Sequence, residues 1–264
     1  MKTIYPHTAE KYDDTASNAS DAHRSLIESE VTRATQPAIM KLSIIMPVYN
    51  EVATIAEIIK RVMAVDLNKE LIIVDDGSVD GTREILRNFS PVAKIIFHDG
   101  NRGKGAAIRT GLERATGDIV LIQDADLEYD PNDYHALVQP IVDGKTPVVY
   151  GSRILRRENP RSNVKFYIAG RFLSLVTNLL YGIHITDEPT CYKVFRRDLL
   201  KSLDLQCEGF EFCPEVTAKI AARRILIHEV PIRYMPRSVA EGKKINWKDG
   251  LQALWTLLKY RLRR

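Results

Sequence analysis

The sequence contains no uninterrupted apolar run of about 18 residues, the length a membrane-spanning helix needs, and residues 1–40 hold no apolar core of the secretory-signal kind. Neither a spanning helix nor an export signal is therefore expected. Cysteine is scarce: Cys191, Cys207 and Cys213 are odd in number and lack zinc-ligand spacing, which excludes a disulfide framework and fits reduced thiols in a cytosolic compartment. No Gly-x-Gly-x-x-Gly follows the first predicted strand, which argues against a dinucleotide oxidoreductase, and Lys104 is followed by Gly105 rather than Ser or Thr, which excludes a Walker A loop. There is no internal repeat or low-complexity tract, and no nucleic-acid motif accompanies the basic residues.

What is present suits one large α/β domain: 264 residues, 45% hydrophobic and 27% charged. The net charge of +4 is uneven. Residues 153–171 hold six Lys or Arg against Glu158, and residues 243–264 hold seven against Asp249. Such clusters fit a phosphate-rich ligand or an anionic membrane surface, with a solvated basic face as the bland alternative.

Apolar patterning predicts alternating strands and helices, hence a doubly wound, mainly parallel sheet. Strands are expected at residues 42–48, 70–74, 94–97, 119–122 and 148–150, with helices after the first four. Phe172, Val176, Leu179, Leu180 and Ile183 predict a further helix, and residues 225–234 an edge strand interrupted by Pro231. Leu251, Leu254, Trp255, Leu258 and Leu262 share one face of an amphipathic C-terminal helix, which suits either a membrane surface or a last packing layer on the core. The expected organisation is a flexible leader at 1–40, a domain at 41–240, and a basic loop with the amphipathic helix at 241–264.

The chemistry-bearing residues sit at predicted strand ends. Asp124 and Asp126 follow the buried run at 119–122, and a spacing of two lets both carboxylates approach one hard divalent cation, with Glu128 a third oxygen donor. An acidic turn is the structural alternative. Asp75-Asp76-Gly77-Ser78 follows the second strand with carboxylates able to accept from a base or ribose hydroxyl. Tyr49 closes the first strand with a ring suited to a base, the Gly103-Lys104-Gly105 amides and Lys104 stand where a helix opens, and Arg153 can bring a guanidinium to a diphosphate.

These segments, Pro47-Val48-Tyr49-Asn50-Glu51, Val74-Asp75-Asp76-Gly77-Ser78, Gly103-Lys104-Gly105, Asp124-Ala125-Asp126-Leu127 and Gly151-Ser152-Arg153, occur in the order found in family 2 glycosyltransferases. The chain most resembles dolichol-phosphate mannose synthases and bacterial polyprenyl-phosphate glycosyltransferases. The resemblance implies a GT-A nucleotide-diphospho-sugar transferase fold and inverting transfer from a nucleotide sugar, GDP-mannose or UDP-glucose, with Mg2+ or Mn2+. Pro47, Tyr49, Glu51, Asp75 and Asp76 match nucleoside-binding positions, Asp124 and Asp126 the diphosphate and metal motif, and Arg153 a phosphate-contacting arginine. Arg237, Lys243 and Lys244 resemble a loop over the donor phosphates and acceptor.

A polyprenyl phosphate acceptor is anionic near neutral pH and needs no protein base, whereas a hydroxyl acceptor on a glycolipid or polysaccharide needs one, for which Asp187 is the expected residue. A non-catalytic nucleotide-sugar-binding module is the alternative outside catalysis. The lipid acceptor implies a peripheral position on the cytosolic face of a membrane, direct or through a separate anchoring protein.

Overall fold

A computed structural model describes residues 40–160, 164–237 and 247–262; the expected leader, apart from Met40, and the Lys243 and Lys244 loop lie outside them. The strands are β1 (Leu42–Val48), β2 (Lys69–Asp75), β3 (Lys94–Phe97), β4 (Ile119–Ile122), β5 (Val148–Ser152), β6 (Lys193–Arg196) and β7 (Ile227–Pro231). The helices are α1 (Ile55–Ala64), α2 (Thr82–Arg87), α3 (Lys104–Arg114), α4 (Tyr134–Val142), α5 (Val164–Tyr181), α6 (Arg197–Ser202), α7 (Phe212–Ala222) and α8 (Trp247–Leu262). No described helix is long and apolar enough to cross a membrane.

The strands form one sheet in the order β3-β2-β1-β4-β6-β5-β7. All neighbours pair in parallel except β6, which runs antiparallel to β4 and β5. β1 and β4 are covered on both faces, so residues 44–48 of β1 and all of β4 are apolar in continuous runs rather than alternating. α3 lies close against β1 because Gly111 faces Ile45, where a Cβ would fall 2.5 Å from a side-chain methyl.

Register places the site. Val48 pairs with Asp75, Asp75 with Phe97, and Ile45 with Ile122, so the carboxyl ends of β1, β2 and β4 finish along one edge. Ligands bind outside such an edge in open α/β sheets. The motifs after these three strands are therefore neighbours despite their separation in sequence.

Several elements depart from the sequence expectation or add to it. β6, α6 and α7 are not foreseen, since four to eleven residues without clear periodicity carry little signal. The residues 225–234 strand is shorter, Ile227–Pro231, but does occupy the sheet edge. α5 buries Ser174, Thr177 and Tyr181, and α8 buries Ala253, Thr256 and Leu257, so of the two settings open to the apolar face of α8 the packing layer is made by other residues. Tyr181 anchors the two by donating to the Leu257 carbonyl at 2.6 Å, and Tyr260 donates to Glu215 on α7 at 2.6 Å.

Candidate active site

A cavity of about 1260 Å³ opens along the sheet edge. Its wall includes Pro47, Tyr49, Glu51, Asp76, Lys104 and Asp124, together with Asp126, Glu128, Arg153, Asp187 and Arg237. Eleven of the described residues singled out by sequence thus meet in one space.

The carboxylates after β4 lie in a turn whose Leu127 has φ of 61°, a left-handed conformation uncommon for a branched side chain and found where a site fixes its backbone. Asp126 stabilises that turn by accepting from the Glu128 amide at 3.1 Å. Asp124 pairs with Lys104 at 2.6 Å. Burial would lower the Lys104 pKa, but the groups around it, Asp124 foremost, together outweigh it and the net shift is upward, so Lys104 stays cationic. Burial, then the Asp124 and Glu128 charges, push the Asp126 carboxyl up to about 7 against the opposing pull of Arg237.

Arg237 bridges two segments. Its guanidinium donates to Glu51 at 3.0 and 3.2 Å and to Asp126 at 3.2 Å, tying the loop after β1 to the turn after β4. Its amide donates to Glu128 Oε1 at 2.7 Å, and Tyr234 donates to the other Glu128 oxygen at 3.1 Å. This corrects the three-donor expectation: Glu128 holds the segment that carries Arg237. Among the described residues no three His, Cys, Asp or Glu side chains gather as a metal cage. Asp124 and Asp126 remain as two hard oxygen donors, a set that suits Mg2+ or Mn2+ when substrate phosphates supply further ligands.

Asp75 and Asp76 part company. Asp75 is fully buried and does not line the cavity, since it accepts from Arg83 Nε at 2.6 Å and the Ser78 amide at 3.2 Å. It braces the turn instead of facing a nucleoside. Asp76 does face the cavity, where it accepts from the Arg102 and Gly103 amides at 2.9 and 2.7 Å and lies 2.7 Å from His98 Nδ1.

The Gly103-Lys104-Gly105 segment also departs from expectation. The Gly105 and Ala106 amides donate to the Gly209 and Glu208 carbonyls at 3.2 and 3.0 Å and the Gly103 amide to Asp76, so although Gly103 and Lys104 both line the cavity, these three amides of the expected phosphate cradle are already engaged. Gly103 has φ of 96°, and a Cβ there would strike the Glu208 carbonyl.

Arg153 and Asp187, expected in separate roles, form a fork: Nε to Oδ2 at 2.7 Å, Nη2 to Oδ1 at 2.6 Å, and the Arg153 amide to Oδ2 at 2.9 Å. Burial would lower the Arg153 pKa, yet Asp187 drives it well upward. The guanidinium also sits 5.0 Å from the centre of the Tyr234 ring. Sequence reading misses Tyr234, which joins Arg153 to Glu128; the signal was an aromatic residue shortly after an edge strand, too common to stand out.

The sheet order with a reversed β6, together with an Asp-x-Asp turn at the edge of a cavity, defines a GT-A-type sugar-nucleotide transferase architecture. More particularly, the chain belongs to glycosyl transferase family 2, whose sequence model matches residues 43–204. It is 30% identical over 238 residues to a low-salt glycan biosynthesis hexosyltransferase of Haloferax volcanii, covering 88% of this chain but 56% of that relative's length. It is 28% identical over 243 residues to the UDP-N-acetylglucosamine--dolichyl-phosphate N-acetylglucosaminyltransferase of Methanococcus voltae, covering 83% of this chain and 95% of that one. Glucosyl-3-phosphoglycerate synthase of Mycobacterium tuberculosis, solved with Mn2+, UDP and glucosyl-3-phosphoglycerate, shares the fold at a TM-score of 0.66 and 23% identity, over 84% of this chain and 80% of that one.

Proposed function

We propose that the chain is an inverting hexosyltransferase that moves mannose or glucose from a nucleotide sugar to a polyprenyl phosphate. The observation that carries this reading is the continuity of the cavity. One part of its wall gathers Tyr49, Asp76, Lys104, Asp124 and Asp126; α5 and α8 add Phe166, Leu173, Leu251 and Leu254, an apolar lining accompanied by Lys165, Arg171 and Asp249. A charged diphosphate suits the first part and a hydrocarbon chain the second. The Methanococcus voltae relative, named for dolichyl phosphate, supports the acceptor class and adds N-acetylglucosamine to the sugars worth testing.

Pro47, Tyr49, Glu51 and Asp76 are assigned to the nucleoside end. Asp124 and Asp126 would hold Mg2+ or Mn2+, which when bound neutralises charge on the departing nucleotide. Lys104, fixed cationic by Asp124, faces the same phosphates. Arg237 and Arg153 bring further positive charge to the cavity and hold two anionic reactants in one space. A phosphate monoester has its second pKa near about 6, so the acceptor oxygen attacks without a protein base. The Arg153 fork around Asp187 favours this over a hydroxyl acceptor, because a carboxylate so engaged is poorly placed to take a proton. The acceptor's lipid character supports peripheral residence on the cytosolic face of a membrane.

The test is a melting-temperature screen of nucleotide sugars with and without Mn2+, followed by transfer of labelled sugar to polyprenyl phosphate and recovery in the organic phase. One donor should stabilise the protein in a metal-dependent way. Asp126→Asn should lower turnover by roughly two orders of magnitude while the protein stays folded. Turnover within a few-fold of wild type, or label found solely in soluble hydroxyl acceptors, would overturn the reading.

A further inference from the structure

Asp187 and Glu188 are adjacent carboxylates of the cavity wall, and they are served very differently. Asp187 accepts three bonds from Arg153. Glu188 is fully buried, yet its Oε2 has no hydrogen-bond partner among the described residues. Its Oε1 accepts from Thr217 at 3.2 Å, but that hydroxyl has one proton and a closer acceptor, the Cys213 carbonyl at 2.9 Å. The Lys193 ammonium is directed elsewhere, to the Glu188 backbone carbonyl at 2.6 Å and over the Tyr150 ring at 3.6 Å. A carboxylate offers about four acceptor sites, and an unmet one in a buried place calls for a partner that the protein itself does not supply.

The position and chemistry of Glu188 narrow that partner. Its amide donates to Ser174 on α5 at 2.9 Å, and three residues on the Cys191 thiol lies 3.7 Å from the carbonyl of Ile122, the last residue of β4. Glu188 therefore stands between the Arg153 fork and the end of the strand that leads into Asp124 and Asp126. An acceptor-only carboxylate repels phosphate and gains nothing from hydrocarbon. Tyr49 and Asp76, assigned to the nucleoside, follow β1 and β2 on one side of β4, whereas Glu188 precedes β6 on the other. What remains is the hydroxyl-bearing sugar, which in a nucleotide sugar lies beyond the diphosphate.

We propose that Glu188 accepts a hydroxyl of the transferred sugar through Oε2 and so selects which hexose is moved. The role rests on the transferase reading and names the residue that reads the sugar within it.

The experiment uses the full chain with Mn2+ and UDP-glucose or GDP-mannose, whichever is turned over, together with its monodeoxy and deoxyfluoro analogues. In wild type, removing one particular hydroxyl should lower kcat/KM by about 100-fold or more, because the carboxylate built around that group is left unmet. A fluorine at the same position keeps bulk but donates nothing, so it should lose as much. Glu188→Gln removes the charge, and Glu188→Asp withdraws the oxygens by one methylene. In both variants the parent donor should slow, and the penalty for the same deoxy donor should shrink to within about tenfold, while melting stays near wild type. A purely structural Glu188 gives equal penalties in variants and wild type, so equal penalties would overturn the proposal. A wild-type scan in which no single deoxygenation costs more than a few-fold would overturn it without any variant. Full rates with the deoxyfluoro donor would overturn the accepting role. If UDP or GDP binds in a metal-dependent way while the sugar scan is flat, the Glu188 role is wrong and the function stands; if neither sugar nucleotide is bound or turned over, the function is wrong and the role falls with it.

Discussion

Removing one partner of the Arg153–Asp187 fork exposes how the cavity wall is held. Asp187 is 3% exposed and Arg153 21%, and two side-chain contacts at 2.6 and 2.7 Å join them. Asp187→Ala leaves a mostly buried guanidinium without its counterion, a change that costs about 3–5 kcal/mol in comparable buried pairs. At about 2–4 °C per kcal/mol for a domain of this size, the melting temperature should fall by roughly 6–20 °C. Arg153→Met/Asp187→Leu removes both charges and should recover most of that loss, because two apolar groups leave no orphaned ion. Turnover should stay low in the double variant, since Arg153 no longer faces the reactants. Calorimetry on the three variants, paired with the transfer assay, separates stability from chemistry. A fall below about 2 °C in Asp187→Ala would refute the buried-pair reasoning. Restoration of its turnover by added formate would make Asp187 a base.

Gly103→Ala combines a left-handed φ with a clash at the Glu208 carbonyl, so the Lys104 loop should detach from residues 208–209; donor titrations should show a KM increase of about tenfold or more. Glu70 accepts from Lys94, Ser43 and Thr116, and although burial alone would raise its pKa, these bonds hold it well below the ordinary carboxylate range. Its stabilisation is therefore present above the unfolded carboxylate pKa, about 4.3, and lost as pH falls below it; denaturant titrations should show Glu70→Gln weaker than wild type at neutral pH and the gap closing in acid. Leu257→Ala, at a fully buried position, should cost about 2–5 kcal/mol, whereas Leu262→Ala, 81% exposed, should fall within about 0.5 kcal/mol; equal losses would reverse the packing face assigned to α8.

The half of the site built on β1, β2 and β4 is legible in sequence because its signals are local. β1, β2 and β4 carry the apolar runs 44–48, 71–74 and 119–122, and each is followed at once by its polar motif, so strand and site residue are read together. What escapes is side-chain pairing across long separations. Arg237 meets Glu51 across 186 positions, and nothing near either residue announces the other. Asp75 and Asp76 are adjacent and chemically identical, yet strand alternation sends one toward Arg83 and the other toward the cavity. Periodicity found α8 and part of α5 but gave no direction, since an apolar stripe satisfies a core or another apolar medium equally well.

The reversal of β6 has a consequence for how the molecule can be altered. Tyr150 pairs with Lys193, so the chain leaves β5 and enters β6 at the same end of the sheet. Residues 153–192, α5 among them, therefore form one excursion between two junctions at the same end of the sheet, and among the described residues no strand lies within it. The cavity-lining residues after β1, β2 and β4 lie outside that stretch. Grafting the equivalent stretch from a homologous transferase would exchange the bank of the cavity that carries Arg153 and Asp187 while leaving in place the residues that follow β1, β2 and β4.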